Sequence, residues 1–454
     1  MFLLRLSSTL APVSRQTLRK SASAAVLSRS NNYNNYNGRS RLSTRLISST
    51  PLASMSIPTN FPGAATSVFT EKLEYVSEYE TIPTYRVLDN AGVVIDEAHD
   101  PQLDKETLLK MYRCMLTLNT MDTIMYDAQR QGRVSFYMTH YGEEATHMGS
   151  AAALTNDDVV YGQYREAGVL MYRGFTLDEF MNQCYSNELD YGKGRQMPVH
   201  YGSPKYNFQT ISSPLGTQLP HAAGTAYALK LSGKKACAIC YFGEGAASEG
   251  DFHAALNMAA TTESPVIYLC RNNGYAISTP SKEQYRGDGI ASRGHGYGIA
   301  TLRVDGNDVL AVYNAVKEGR RIAVEESRPV LIESMTYRVG HHSTSDDSSA
   351  YRSKQEVAEW QKNSSPIVRF RKYLETRSLW SEEDEQAFRK DIRSQILRSF
   401  SAAEKVKKPP IDDLFTDVYD DVPQHLLEQK AELGRIMAKY PEFYDQSPHA
   451  PSRK

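Results

Sequence analysis

The sequence predicts an α/β fold: a mostly parallel sheet flanked by helices, with an extended N-terminal arm and a helical C-terminal region. Two patterns carry that expectation. Between Ala236 and Met335, short apolar runs alternate with helix-periodic stretches, as strand–helix–strand crossovers require. From Asp104 to Gln131, Leu108, Met111, Met115, Leu118 and Met125 recur at helical spacing behind an Asp cap. The 454 residues suffice for one large or two ordinary globular domains.

Residues 1–70 hold no Asp or Glu but carry Arg5, Arg15, Arg19, Lys20, Arg29, Arg39, Arg41 and Arg45, with Ser and Thr filling much of the rest. An acid-free, Arg- and Ser-rich start suits a peptide drawn into an organelle by a negative membrane potential. A disordered basic arm that binds nucleic acid is the alternative. Residues 1–50 are read as a transit peptide, with the low-complexity run Asn31–Gly38 inside it. Without them the chain keeps all 53 acidic residues and loses eight of its 52 basic ones, so it becomes clearly acidic. That balance argues against nucleic acid as a partner. No run of about 18 apolar residues occurs, which argues against membrane insertion.

Residues 51–103, with Pro51, Pro58, Pro62, Pro83 and Pro101, read as an irregular wrapping arm. The long helix at 104–131 follows. Strands are expected at 236–242, 265–270, 299–304 and 329–335, with helices at 249–260 and 308–326. Ligands of such sheets bind beyond the carboxyl ends of strands, which points to the loops at Gly243, Arg271 and Tyr337. After Ser353 the chain is helical and charged, with Trp360, Val368, Phe370, Leu374, Trp380 and Ile396 as expected buried anchors. Residues 409–454 combine Leu414, Phe415, Val418, Leu426 and Leu427 with many charges and are read as a partner-docking tail. The five cysteines make a disulfide framework improbable, and Cys237 and Cys240 sit in a strand whose alternate residues face opposite ways.

The chemistry concentrates in two loops. GEGAASEGD (Gly243–Asp251) follows one strand, and RNNGY (Arg271–Tyr275) follows the next, with 29 residues from Glu244 to Asn273. Gly243 and Gly245 permit close backbone approach to a diphosphate, and the following helix offers free amides. Phosphate alone needs no acid, but a bridging Mg²⁺ does: Glu244 and the Asn273 amide oxygen, with the Tyr275 carbonyl, are suitable oxygen ligands.

This pair of loops resembles the thiamine diphosphate motif, written GDG followed after some 25 to 30 residues by NN. With Glu244 in place of Asp, GEGAASEGD and CRNNGYAIST resemble the form found in alpha subunits of branched-chain 2-oxo acid dehydrogenases, over nearly the whole chain from about residue 60. The resemblance implies a thiamine diphosphate-binding fold of the diphosphate-binding type over 104–408. It implies cofactor contacts from Gly243, Glu244, Gly245, Ala246, Arg271, Asn273, Tyr275 and Ile277. Further matching segments extend these implications. In YGQYREAGVLMYRGF, Gln163, Tyr164 and Arg165 would lie at the cofactor; in SSPLGTQ, Ser213 and Leu215 would hold cofactor, while Ser212, Pro214, Thr217 and Gln218 would hold K⁺. An ordinary Ser/Pro turn opening a helix accounts for SSPLGTQ equally well from the residues alone.

The third strand end reads YRVGHHSTSDDSSAYRS (Tyr337–Ser353). Adjacent histidines seldom converge on one metal ion. The resemblance instead assigns His342 as the catalytic residue near the diphosphate, and Ser343 and Ser353 as serines controlled by a regulatory kinase and phosphatase. It further implies oxidative decarboxylation of branched-chain 2-oxo acids in the mitochondrial matrix, with acyl transfer to the lipoyl group of a dihydrolipoyl transacylase core. Only one cofactor-binding module is visible, so the resemblance implies a separate beta subunit and a heterotetramer of two alpha and two beta chains. Alpha subunits of pyruvate dehydrogenases share the fold but typically carry GDGAANQG and a single His. A cofactor-binding scaffold without turnover is the other alternative.

Overall fold

A computed structural model describes residues 61, 63, 64 and 69–452. The proposed transit peptide, residues 1–50, lies outside them. The chain divides after Ser77 into two compact units. In the first, Phe61 and Phe69 meet at 6.2 Å. Every strand and helix described belongs to the second, Glu78–Lys454.

Nine short strands are found among the described residues: β1 (Thr84–Tyr85), β2 (Val159–Tyr161), β3 (Phe208–Gln209), β4 (Ala238–Gly243), β5 (Val266–Asn272), β6 (Tyr275–Ala276), β7 (Thr279–Pro280), β8 (Ala300–Asp305) and β9 (Val330–Met335). Seven form one sheet in the order β1-β8-β9-β5-β4-β2-β3, with every neighbouring pair parallel. β6 and β7 form a separate antiparallel hairpin. The helices are α1 (Lys105–Arg130), α2 (Glu144–Ala152), α3 (Ala167–Tyr172), α4 (Leu177–Cys184), α5 (Gln218–Leu231), α6 (Gly250–Thr262), α7 (Ser281–Gln284), α8 (Val309–Glu326), α9 (Lys354–Ser364), α10 (Pro366–Thr376), α11 (Glu382–Ala403) and α12 (Gln424–Lys439).

The sheet separates two apolar layers. Along β4 and the residue before it, Cys237, Ile239 and Tyr241 enter the larger layer, while Ala238, Cys240 and Phe242 enter the smaller one. All seven residues of β5 are buried, as a strand covered on both faces must be. Each Val-, Ile- or Leu-sized side chain so buried stabilises by roughly 1.5–3 kcal/mol. The cysteines are free and on opposite faces. α1 starts where its cap was expected, Asp104 accepting from the Thr107 amide.

Three expectations need correction. The arm is not irregular throughout: Thr84 and Tyr85 pair with Arg303 and Val304 as an edge strand. Beyond them Val87 and Leu88 are fully buried, and both donate to one Asp308 carboxylate oxygen (2.7 and 2.5 Å). The other Asp308 oxygen caps α8 through Leu310 and Ala311. Trp360 and Val368 are not buried anchors but 40% and 45% exposed; α9 has no buried residue at all. Finally, β5 runs through Arg271 and Asn272, so Arg271 is a strand residue.

Candidate active site at the sheet's carboxyl edge

In a parallel sheet all strands end at one edge, and β9, β5, β4 and β2 are consecutive neighbours. The segments leaving these four strands line one cavity of about 150 Å³. Its walls include Gln163, Tyr164 and Arg165 after β2, Gly243, Glu244, Gly245 and Ala246 at the end of β4, Arg271, Asn273, Tyr275 and Ile277 along and after β5, His342 after β9, and Leu215. The structure thus brings together thirteen of the expected residues. It does not bring Ser213 there: its hydroxyl lies 2.8 Å from His200 Nε2.

Glu244 is almost fully buried. One carboxylate oxygen accepts from the Asn273 amide at 3.4 Å, and Oε1 has no partner. Burial pushes this carboxyl upward, so ionising it calls for a cation. A buried polar atom without a partner is costly, and Mg²⁺ fits the need. The Asn273 side chain is already oriented: its Nδ2 donates to Glu143 Oε1, and its Oδ1 accepts from the Tyr275 backbone amide at 3.3 Å, keeping a second lone pair for a cation. Among the described residues no three His, Cys, Asp or Glu side chains group as a metal site. Gly245 is required by packing, because a Cβ there would stand 2.8 Å from Ala276 Cβ.

Below the cavity lies a buried ion network. Arg271 Nε donates to Glu166 at 3.0 Å and Nη1 to Glu143 at 3.4 Å. Burial opposes the Arg271 charge, but Glu143 and Glu166 outweigh it and raise its pKa. Glu166 also accepts from the Gln163 backbone at 2.6 Å, and Gln163 Oε1 from the Gly243 amide at 3.1 Å. One network therefore ties the β2, β4 and β5 loops together.

His342 forms the opposite wall. Its Nδ1 faces Arg165 Nη2 at 3.2 Å and Arg338 Nη1 at 3.4 Å. Both neighbours can only donate, so Nδ1 accepts and the proton resides on Nε2. Burial, Arg165 and Arg338 together lower the pKa of His342 to about 3, which keeps the ring neutral at physiological pH. Arg165 is buried and also donates to the carbonyls of Thr139 (2.7 Å) and His342 (2.5 Å). His341 turns away, accepting from the Ser348 backbone at 3.0 Å, so the two histidines diverge. Ser343 follows His342 directly, and the Asp346 carboxylate accepts from the His342 amide at 2.8 Å. Ser353 caps α9, accepting from Glu356 N at 3.0 Å.

Sequence reasoning missed Glu143 and Arg338. Arg338 Nη2 donates to the Ile277 carbonyl at 2.6 Å and so holds Ile277 at φ 56°, a left-handed conformation that costs a β-branched residue roughly 1–3 kcal/mol. The expected K⁺ residues stand at the start of α5. Thr217 Oγ1 donates to the Pro214 carbonyl at 3.3 Å and Gln218 Nε2 to the Tyr241 carbonyl at 3.0 Å, while Ser212 is exposed.

The model of the dehydrogenase E1 component family matches residues 112–412. The chain belongs to that family. It is 59% identical over 386 residues to the 2-oxoisovalerate dehydrogenase subunit alpha, mitochondrial, of Homo sapiens, covering 85% of this chain and 86% of that one. The counterpart in Caenorhabditis elegans is 58% identical over 84% of this chain and 89% of its own. Subunit alpha 1 of Arabidopsis thaliana is 54% identical over 85% of this chain and 82% of its own. In this E1 chain the parallel sheet and its shared carboxyl edge agree with the α/β fold expected.

Proposed function

We propose that this E1 chain is the alpha subunit of a mitochondrial enzyme that oxidatively decarboxylates branched-chain 2-oxo acids, using thiamine diphosphate and Mg²⁺ and passing the acyl group to a lipoyl-bearing transacylase core. The observation that carries it is buried Glu244, with an unpartnered oxygen beside an Asn273 whose amide nitrogen is already taken. The names of the relatives support the substrate class and the compartment.

When bound, thiamine diphosphate supplies the electron sink for loss of CO₂ from a 2-oxo acid. The chain's own residues bind and orient it. Glu244, Asn273 and the Tyr275 carbonyl would hold Mg²⁺, Gly243 and Gly245 give the diphosphate room, and Arg165 and Arg338 offset its charge. His342 keeps a proton on Nε2 and, as a neutral ring, can donate a hydrogen bond from there to a bound group. The start of α5, with Ser212, Pro214, Thr217 and Gln218, would hold a structural K⁺ beside the Leu215 wall. Phosphate on Ser343 or Ser353, placed by a kinase and removed by a phosphatase, would switch the enzyme off. At Ser343 it would add negative charge beside Asp346 and unsettle the His342 loop.

A cavity of about 150 Å³ is smaller than the roughly 300–1,000 Å³ of a complete small-molecule site. It suits the diphosphate end alone, so a beta subunit would supply the rest of the site in a two-alpha, two-beta assembly. The exposed Leu414, Val418 and Leu427 of the tail add a further docking surface. The test is turnover by the complex purified on a tagged copy of the chain. Branched-chain 2-oxo acids and pyruvate are compared, and Mg²⁺ and thiamine diphosphate are withheld in turn. Turnover that needs both and prefers branched acids supports the reading. A preference for pyruvate moves it to the pyruvate enzymes, and none with any acid leaves a scaffold.

A further inference from the structure

The carboxyl edge of the sheet carries a second and larger cavity, of about 790 Å³. It is displaced from the cofactor cavity toward β1: Thr84, Asp305, Met335 and Asn272, from the ends of β1, β8, β9 and β5, belong to its lining. The β6–β7 hairpin serves both cavities. Ala276 and Ile277 line the cofactor cavity, Pro280 lines this one, and Tyr275 lines each. Ligands of parallel sheets bind at this edge, and the volume lies within the roughly 300–1,000 Å³ of a complete small-molecule site. Nothing in the proposed reaction uses it.

One wall is cationic. Arg86 Nε and Arg369 Nη1 share a single Asp305 carboxylate oxygen, at 2.9 and 2.8 Å, and both guanidiniums also donate to the Asn90 side-chain oxygen, at 2.6 and 2.9 Å. One carboxylate therefore faces two positive charges. Lys282 adds a third cation to the lining, and Glu356 is its only other acid. Arg369 is 3% exposed, yet its Nε has no acceptor. A buried donor left unpaired is costly, and an anion entering the cavity would bring the acceptors that this wall lacks.

The other wall is aromatic. The Tyr275 and Tyr337 hydroxyls both donate to Glu356 Oε1, at 2.9 and 2.8 Å, which fixes both rings and occupies that carboxylate oxygen. Trp360 stacks on Tyr337 with centroids 4.9 Å apart and planes 3° from parallel. It remains 40% exposed while lining the cavity, so a further flat ring can lie on it.

We propose that this cavity is a second ligand site, separate from the cofactor site, which takes a small aromatic anion with its ring on Trp360 and its acid group on Arg86 and Arg369. A planar ring fits the aromatic wall, and a carboxylate or phosphate fits the paired guanidiniums. The site goes beyond the decarboxylation reading and does not depend on it. Because Tyr275 belongs to both linings, a ligand here touches a residue that also walls the cofactor cavity.

The test is calorimetry on the complex purified on a tagged copy of the chain, with thiamine diphosphate and Mg²⁺ saturating so that the cofactor cavity is not the site measured. The probes are indole-3-acetate and indoxyl phosphate, the same ring with a carboxylate or a phosphate, and the controls are indole, acetate and inorganic phosphate. The expected result is one site per chain for at least one probe, at least about tenfold tighter than any control. Arg86→Gln and Trp360→Ala should each weaken it at least about tenfold at an unchanged melting temperature, since Asp305 keeps Arg369 and Trp360 is half-exposed. The tighter probe then identifies the acid group. Failure of both probes to bind, or binding that either variant leaves at parental strength, overturns the proposal. So does binding seen with the lone chain but not with the complex, which would mean that a partner chain fills the cavity.

Discussion

Glu143→Gln probes the least visible part of the site. Glu143 touches neither ion nor cofactor in the proposed arrangement, but its Oε1 takes the Asn273 amide nitrogen and, at 3.4 Å, Arg271 Nη1. Glutamine keeps the shape and removes the charge. A hydrogen bond to a charged group contributes about 1.5–3 kcal/mol, and at 1.4 kcal/mol per factor of ten its loss predicts roughly 10- to 100-fold weaker Mg²⁺ binding. Positions that orient metal ligands behave over the same range. Arg271 retains Glu166 at 3.0 Å, so the fold should survive. The assay is a Mg²⁺ titration of cofactor-dependent turnover in the assembled enzyme, with the melting temperature measured in parallel. The apparent Mg²⁺ constant should rise while turnover at saturating Mg²⁺ stays near the parent's. An unchanged Mg²⁺ constant at an unchanged melting temperature would refute the claim that Glu143 orients Asn273.

Glu244→Ala should abolish Mg²⁺-dependent thiamine diphosphate binding by calorimetry, and parental binding would remove Glu244 from the metal set. Glu144 is buried, which raises its carboxyl pKa from 4.5 to about 8. Below pH 4.5 both folded and unfolded states are protonated; as pH rises through 8 the unfolded chain ionises first and stability is lost. Glu144→Gln should therefore flatten the pH dependence of urea melts between those limits, and an unchanged pH dependence would refute the raised carboxyl. Ser343→Glu should cut turnover at least about tenfold with the melting temperature unchanged, and full activity would count against the switch. Burial pushes the Cys237 and Cys240 thiols well up and they face opposite layers, so the native chain should show no alkylation at either and no melting shift with reductant.

The sequence made the long elements and the two glycine loops legible because their signals are local. Asp104 sits one residue before a helix whose period it announces, and the runs at β4 and β5 are continuous enough to require cover on both faces. The strands β1, β2 and β3 span two or three residues and take their identity from neighbours such as Arg303 and Ile239, so no window of sequence contains the reason for them. Glu143 and Arg338 escaped for the same cause: their partners Asn273 and Ile277 lie 130 and 61 residues away. Trp360 was misplaced for a different reason. Hydropathy says that a residue is apolar, not that anything covers it, and here Trp360 stacks on Tyr337 at 4.9 Å with one face open.

The parallel pairing of Thr84 with Arg303 bears on the order in which the molecule can be built. As a chain emerges from the ribosome, its first strand has no neighbour until the eighth strand is made more than two hundred residues later. β2 likewise waits for both β3 and β4. Contacts so distant in sequence form slowly, because loop closure must precede any stabilisation from pairing. A nascent chain therefore carries unpaired edges for most of its synthesis: the loops after β2, β4 and β5 meet once those strands pair, and the His342 wall joins them only once β9 has docked beside β5. Closure of the cavity wall at His342 should then report the docking of β9 beside β5 in a refolding experiment, a step that pairing of β2, β4 and β5 alone does not imitate.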